Sequence, residues 1–354
     1  MMKPVLAAIL SISGPVLTDS EKRILEAYNP LGITLFKRNI ETLSQVATLT
    51  QSIREVIGRE NVLIGIDQEG GRVCRFVPPL APDFVSQYSI GALFGQEQQE
   101  LSSLHAKLIA SVLKPCGINL NYAPCLDVCY EQTAPVLKSR CFSENEKVVA
   151  DLGHVLIDSY KKAGIIPCMK HLPGHGRVVV DPHLHLPILN ESVLELEKDF
   201  YPFQKNASAC PMGMTAHIVV SGIDSQYPIT QSKRGIDILI RQKIGFDGFL
   251  ISDAIDMHAL KGSLKERTQL SLEAGCDAVC YCMGETIGLF EVCQSAKPLT
   301  EKALERLNRC FSVVERDVVI SDNDFVRYRE LTQNIQTLDT DYDAVEVLNQ
   351  LKNK

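Results

Sequence analysis

The chain has 354 residues, 45% hydrophobic and 22% charged, with a formal net charge of −7. That is enough chain to bury a large core, in two average domains or in one α/β barrel. The acidic balance and the absence of a basic block exclude nucleic acid as a main partner, since phosphate binding needs a concentrated Lys/Arg face. No run approaches the ~20 apolar residues of a membrane span.

In chain order, near-continuous apolar runs cover 5–10, 32–36, 61–67, 117–124, 165–171, 210–217, 248–253 and 278–283. Such runs suit strands buried on both faces. The first is too short for the core of a signal peptide, and no A-x-A-like site follows it. Between the runs lie amphipathic stretches. The first opens on Thr18-Asp19-Ser20-Glu21, a capping box. Further helices are predicted over 41–57, 97–114, 144–163, 191–206, 232–243, 265–274 and 285–295. Eight strands alternating with eight helices predict an α/β fold, a single (β/α)8 TIM-type barrel over residues 1–320. Residues 321–354 read as a peripheral C-terminal helix or tail. A doubly wound sheet would more often bring a G-x-G-x-x-G turn, and none is found.

Twelve cysteines occur, none in C-x-x-C spacing. They read as free thiols used as small apolar residues, which fits a reducing compartment.

In such barrels, catalytic groups stand at the C-terminal ends of the strands. Ionisable residues terminate five of the runs there. Asp67 ends the third, Asp127 follows the fourth, Lys170-His171 ends the fifth, His217 the sixth and Asp253 the seventh. After the fifth run comes a long unpatterned segment, 172–190, holding His175, His183 and His185. Long structureless loops in compact domains are often functional. A metal site would need three or four ligands; His183-x-His185 offers two, with His171 or His175 a third. An acid–base reading rests on Asp181-Pro182-His183 instead. A carboxylate two residues from an imidazole fixes its tautomer and favours its charged form. Asp253 is then a candidate nucleophile, paired with a proton donor as in retaining glycosidases.

Several segments resemble bacterial β-N-acetylglucosaminidases of glycoside hydrolase family 3. Asp67-Gln68-Glu69-Gly70-Gly71-Arg72-Val73, followed by Arg75-Phe76, is similar to D-Q-E-G-G-R-V-x-R-F. Asn121-Tyr122-Ala123-Pro124 with Leu126-Asp127-Val128 resembles N-F-A-P-V-L-D-V. Lys170-His171-Leu172-Pro173-Gly174-His175-Gly176 is close to K-H-F-P-G-H-G. Asp181-x-His183 matches D-S-H, and Ser252-Asp253 matches S-D. The resemblance runs in order from about residue 5 to about residue 310.

The resemblance implies a nucleophile at Asp253, a general acid/base at His183 and its partner at Asp181. It also implies that Asp67, Arg75, Arg140, Lys170 and His171 bind the hydroxyls and N-acetyl group of a terminal GlcNAc. Three positions depart from the pattern: Ala254 replaces an Asp, Pro182 a Ser, and Arg140-Cys141-Phe142 an R-S-F or R-S-Y. The implied activity is retaining exo-hydrolysis of β-1,4-linked GlcNAc from anhydro-MurNAc peptides, by a cytoplasmic monomer with no cofactor and no metal. Three rivals stay open: a metal-dependent barrel hydrolase, a muropeptide-binding protein without turnover, and a family-3 glycosidase for another sugar.

Overall fold

The computed structural model describes residues 3–179, 186–314, 317 and 319–335. Its first half runs β1 (Leu6–Leu10), α1 (Asp19–Tyr28), β2 (Pro30–Leu35), α2 (Leu43–Ile57), β3 (Leu63–Ile66), α3 (Gln87–Gly91), α4 (Gly95–Leu113), β4 (Leu120–Asn121), α5 (Pro135–Lys138) and α6 (Glu146–Lys162). The second half runs β5 (Ile166–Leu172), β6 (Ile188–Leu189), α7 (Glu197–Asn206), β7 (Met212–Thr215), β8 (Val219–Val220), a π-helix (Gly235–Lys243) and β9 (Phe249–Ala254). It ends with α8 (Leu264–Ala274), β10 (Ala278–Cys280), α9 (Thr286–Ser295), α10 (Glu301–Phe311) and α11 (Asp322–Thr332). Eight strands close a parallel barrel in the order β1-β10-β9-β7-β5-β4-β3-β2, while β6 and β8 pair as a small separate sheet. This is the (β/α)8 barrel that the alternating runs predict.

Alternate strand residues divide between two cores, as a period of two requires. Ala7, Ile9, Leu63, Ile166, Cys168, Met212, Met214, Phe249 and Ile251 fill the barrel interior. Ala8, Leu10, Ile33, Ile64, Ile66 and Leu250 face the helical ring instead.

Strand four is shorter than expected, with only Leu120–Asn121 in the ladder. On its β3 edge asparagine side chains replace ladder bonds, while backbone bonds to β5 continue as far as Leu126 N to Lys170 O. Asn119 Oδ1 accepts from Ile64 N at 2.8 Å, and Asn121 Oδ1 accepts from Gln68 N at 3.0 Å. Helix α7 begins six residues later than expected, after a turn in which Ser192 Oγ donates to Glu195 at 2.7 Å. Helix α10 is absent from the expectations. Its apolar residues Ala303, Leu307 and Cys310 join the barrel-interior core.

The capping box at Thr18 and Glu21 is present. Helix α11 packs on α4, with Lys107 Nζ 2.9 Å from Asp324 and Tyr328 Oη 3.1 Å from His105 Nδ1. Among the described residues, no helix is long and apolar enough to cross a membrane. The twelve cysteines are free thiols, eleven buried and Cys282 partly exposed.

Candidate active site

Among the described residues, the sequence-expected ones gather along one arc of the rim, on or beyond β3, β4, β5, β7 and β9. These are five neighbouring strands of the barrel. The loop after β3 is folded by one side chain. Gln68 Oε1 accepts from Arg75 N at 2.9 Å and Phe76 N at 3.0 Å, and its Nε2 donates to Phe76 O at 2.8 Å. Gly70 and Gly71 both adopt positive φ. A Cβ at Gly70 would fall 2.1 Å from Val85 O, so only glycine lets the loop pass there. The turn returns Arg75 to Asp67, whose Oδ2 lies 3.0 Å from Arg75 Nη2.

From there a chain of ion pairs crosses the mouth. Lys170 Nζ lies 3.0 Å from Asp67 Oδ1 and 2.6 Å from Glu69 Oε1. Glu69 also takes a two-pronged grip from Arg140, with Nε at 2.9 Å and Nη2 at 2.8 Å. Arg140 Nη2 stands 3.3 Å from His171 Nε2, and His171 Nδ1 donates to Asp127 Oδ2 at 2.7 Å. Asp127 Oδ1 accepts from His175 N at 2.7 Å.

Burial alone would raise the Glu69 carboxyl. Arg140 and Lys170 reverse this and hold it well below the usual carboxylate range. Asp67 is likewise held down by Lys170 and Arg75 against the effect of burial. Burial opposes the charge on His171, but the Asp127 carboxylate overrides it and pushes the imidazole up to about 9. His175 goes the other way: burial lowers it to about 3, which leaves it neutral.

Asp67, Arg75, Arg140, Lys170 and His171 are therefore brought together, as expected. Their exposures differ. The side chains of Asp67, Arg75 and Arg140 retain 18%, 13% and 12%, whereas Lys170 and Glu69 are sealed at 2% and 1%. Glu69 has no part in the sequence expectation, although it sits inside the quoted D-Q-E segment. An acidic residue two positions from Asp67 was the available signal.

Asp253 ends β9, two barrel strands from Lys170 and His171. It is partly exposed, and Ala254 N donates to its Oδ1 at 2.7 Å. It stands on the same rim, because β9 and β5 run parallel two strands apart in the barrel and both end there. His217 braces this strand end, its Nε2 lying 2.9 Å from Ala254 O. Asp256, three residues on, is pushed up to about 6 by burial, with the Asp253 charge adding to the rise. Asp181, His183 and His185 lie outside the described residues.

Residues 6–312 match the glycosyl hydrolase family 3 N-terminal domain. The chain belongs to glycosyl hydrolase family 3. Two relatives of this family support a specific activity. A β-hexosaminidase of Psychromonas ingrahamii is 36% identical over 79% of this chain and 83% of that protein. One of Bordetella avium is 30% identical over 92% of this chain and 95% of that protein. NagZ of Neisseria gonorrhoeae, solved with N-trifluoroacetyl-D-glucosamine, superposes with a TM-score of 0.83 at 28% identity. That match covers 93% of this chain and 98% of the other. This family-3 chain is a glycoside hydrolase, a NagZ-like β-N-acetylhexosaminidase.

Proposed function

We propose that the chain is a retaining exo-enzyme that removes a terminal β-1,4-linked GlcNAc from peptidoglycan fragments carrying anhydro-MurNAc. It works as a cytoplasmic monomer in cell-wall recycling, with residues 1–320 as the catalytic unit. The observation that carries this reading is the interlocked group Asp67, Arg75, Arg140, Lys170 and His171 on the same barrel rim as Asp253. A carboxylate can accept two sugar O–H bonds and guanidinium groups donate to sugar oxygens, so three half-open polar side chains suit one pyranose. The gonococcal neighbour solved with an N-acylated glucosamine supports a 2-acylamino sugar in that place.

The assigned roles give a double displacement. Asp253 attacks the anomeric carbon while the imidazolium of His183 protonates the departing sugar oxygen, and a glycosyl ester forms. His183, now neutral, takes a proton from water. That water attacks the same carbon and frees Asp253. Asp181 holds the imidazole and favours its charged form. Glu69 acts behind the sugar contacts, keeping Lys170 and Arg140 in one geometry.

The test compares 4-nitrophenyl β-GlcNAc with 4-nitrophenyl β-glucose, with and without EDTA, and follows the first product by NMR. The expected result is preference for the GlcNAc substrate, indifference to EDTA and the β-anomer first. Preference for glucose would assign another sugar. Loss of activity in EDTA would assign metal chemistry. Release of the α-anomer first would remove Asp253 as nucleophile. Release of GlcNAc from GlcNAc–anhydro-MurNAc peptide then tests the natural substrate.

A further inference from the structure

Behind His171 lies a group of side chains whose thiols have no part in the proposed sugar hydrolysis. Cys125 Sγ donates to Asp127 Oδ2 at 3.2 Å, and the same carboxylate oxygen holds His171 Nδ1 at 2.7 Å. The sulfur, the oxygen and the imidazole nitrogen all lie within 4.8 Å of one another, and all three residues are buried. The thiol of Cys141 interacts with those of Cys125 and Cys129, so two more sulfurs border the group. Next to His171, with ring centroids 5.6 Å apart, the buried Nδ1 of His175 has no hydrogen-bond partner among the described residues.

Two of these thiols are departures from the family pattern. Cys125 stands where N-F-A-P-V-L-D-V has Val, and Cys141 stands where R-S-F has Ser.

We propose that Cys125, Asp127 and His171, bordered by Cys141, form an inhibitory site for a thiophilic divalent cation such as Zn²⁺ or Cd²⁺. Zn–S bonds of about 2.3 Å and Zn–N or Zn–O bonds of about 2.0–2.2 Å place such donors roughly 3.3–3.8 Å apart. The observed 3.2 and 2.7 Å separations need to open only slightly. A thiolate beside an imidazole and one carboxylate favours Zn²⁺ or Cd²⁺ over Mg²⁺ or Ca²⁺. On binding, the S–H proton of Cys125 and the Nδ1 proton of His171 leave to solvent, and bonds from Sγ and Nδ1 to the cation replace them. His171, 7% exposed, is the side chain through which the group meets the pocket.

Inhibition follows from what the cation displaces. The Asp127–His171 hydrogen bond is lost, and His171 turns away from Arg140. The binding claim stands on the cluster alone. The inhibition claim also rests on the proposed role of His171 and Arg140 in sugar binding.

The test titrates the reduced full-length protein with Cd²⁺ and records two signals: the thiolate-to-cadmium charge-transfer absorbance and hydrolysis of 4-nitrophenyl β-GlcNAc. Wild type is expected to bind one equivalent with a thiolate band, and activity should fall in step. C125V restores the family's residue. It should keep basal activity, lose the band and weaken binding by about 100-fold. C125A guards against a packing defect specific to valine. C282S, which changes a cysteine outside the cluster, should behave as wild type. Unchanged binding in both Cys125 variants would overturn the proposal. So would binding without a thiolate band, which assigns the cation to histidines or carboxylates elsewhere. Absence of binding by wild type would overturn it as well. Thiolate binding by wild type that leaves hydrolysis untouched would retain the site and overturn its inhibitory role.

Discussion

Both ends of the barrel carry a knot of charge, and the two knots are built differently. At the N-terminal end, Arg306 donates to Asp247 Oδ1 at 2.6 Å and to Asp277 Oδ1 at 2.9 Å. Arg241 reaches Asp277 Oδ2 at 3.2 Å and the carbonyls of Phe246 and Gly248, both at 2.9 Å. Asp277 is enclosed, and Asp247, although 64% exposed, meets Arg306, Lys302 and Arg309, so every carboxylate there faces protein donors and Asp247 and Arg306 tie α10 to the start of β9. At the C-terminal end, Glu69 and Lys170 are as enclosed as Asp277, but Asp67, Arg75 and Arg140 keep a face toward the mouth. A saturated network serves cohesion. A network sealed behind and open in front can hand its remaining donors and acceptors to a ligand. The ion pair itself therefore does not mark a site; its unspent capacity does.

Six substitutions break or sharpen this contrast. Asp253→Ala should lower kcat by about 10⁴-fold, as loss of a nucleophile does, with the circular dichroism spectrum unchanged. Near-normal turnover in a folded variant would place the nucleophile elsewhere. His183→Ala should cost about 10²–10⁴-fold in kcat/KM on GlcNAc–anhydro-MurNAc. It should cost far less on the nitrophenyl glycoside, whose leaving group needs little protonation. Asp181→Ala should tilt the ratio the same way by a smaller factor. Equal losses on both substrates would mean that the loop shapes the site without moving a proton.

The two charge knots are compared directly by Glu69→Gln and Arg306→Ala. Glu69→Gln strips the buried Lys170 and Arg140 of that carboxylate and should destabilise the fold by about 3–5 kcal/mol in chemical denaturation. Arg306→Ala should cost less, because Asp277 keeps Arg241 and Leu250 N, and Asp247 is open to solvent. Only Glu69→Gln should also reduce kcat/KM of the molecules that stay folded. Reduced kcat/KM in folded Arg306→Ala would show that the lower network reaches the mouth.

The smallest effect is a pH dependence. His171 is pushed up to about 9 in the fold, above its ordinary 6.5. Its contribution to stability is thus fully present below about pH 6.5 and is lost as pH rises through about 9. A His171→Gln protein should lack that part of the decline in denaturation midpoint. An identical pH profile in the variant would remove the Asp127–His171 pair as its source.

Much of this arrangement was legible in the sequence, for physical reasons. Strands buried on both faces must be apolar throughout, so the eight runs and their polar ends were visible. Asp67, Lys170-His171 and Asp253 stood out because each interrupts such a run at the same end. Other features depend on partners distant in sequence. Strand four read as eight residues because the asparagine side chains that replace ladder bonds on its β3 edge leave no trace in hydrophobic periodicity. Helix α10 lies beyond the eight expected strand–helix units, and only the fold shows that its apolar face at Ala303, Leu307 and Cys310 joins the barrel-interior core. Glu69 was hidden by its own motif: only the fold shows that Arg140, 71 residues away, closes on it. Cys125 and Cys141 read as small apolar residues. Burial bears that out, while their closeness to Asp127 and His171 belongs to the tertiary structure.

The central claim is a covalent glycosyl ester on Asp253, and trapping that ester tests it most directly. A 5-fluoro-GlcNAc fluoride slows the second displacement, so the labelled intermediate should accumulate. Digestion and mass spectrometry should then find the sugar's mass on the peptide carrying Ser252-Asp253, and fragmentation should place it on Asp253. A label on Asp256 or another carboxylate, or turnover with no covalent adduct at all, would contradict the account.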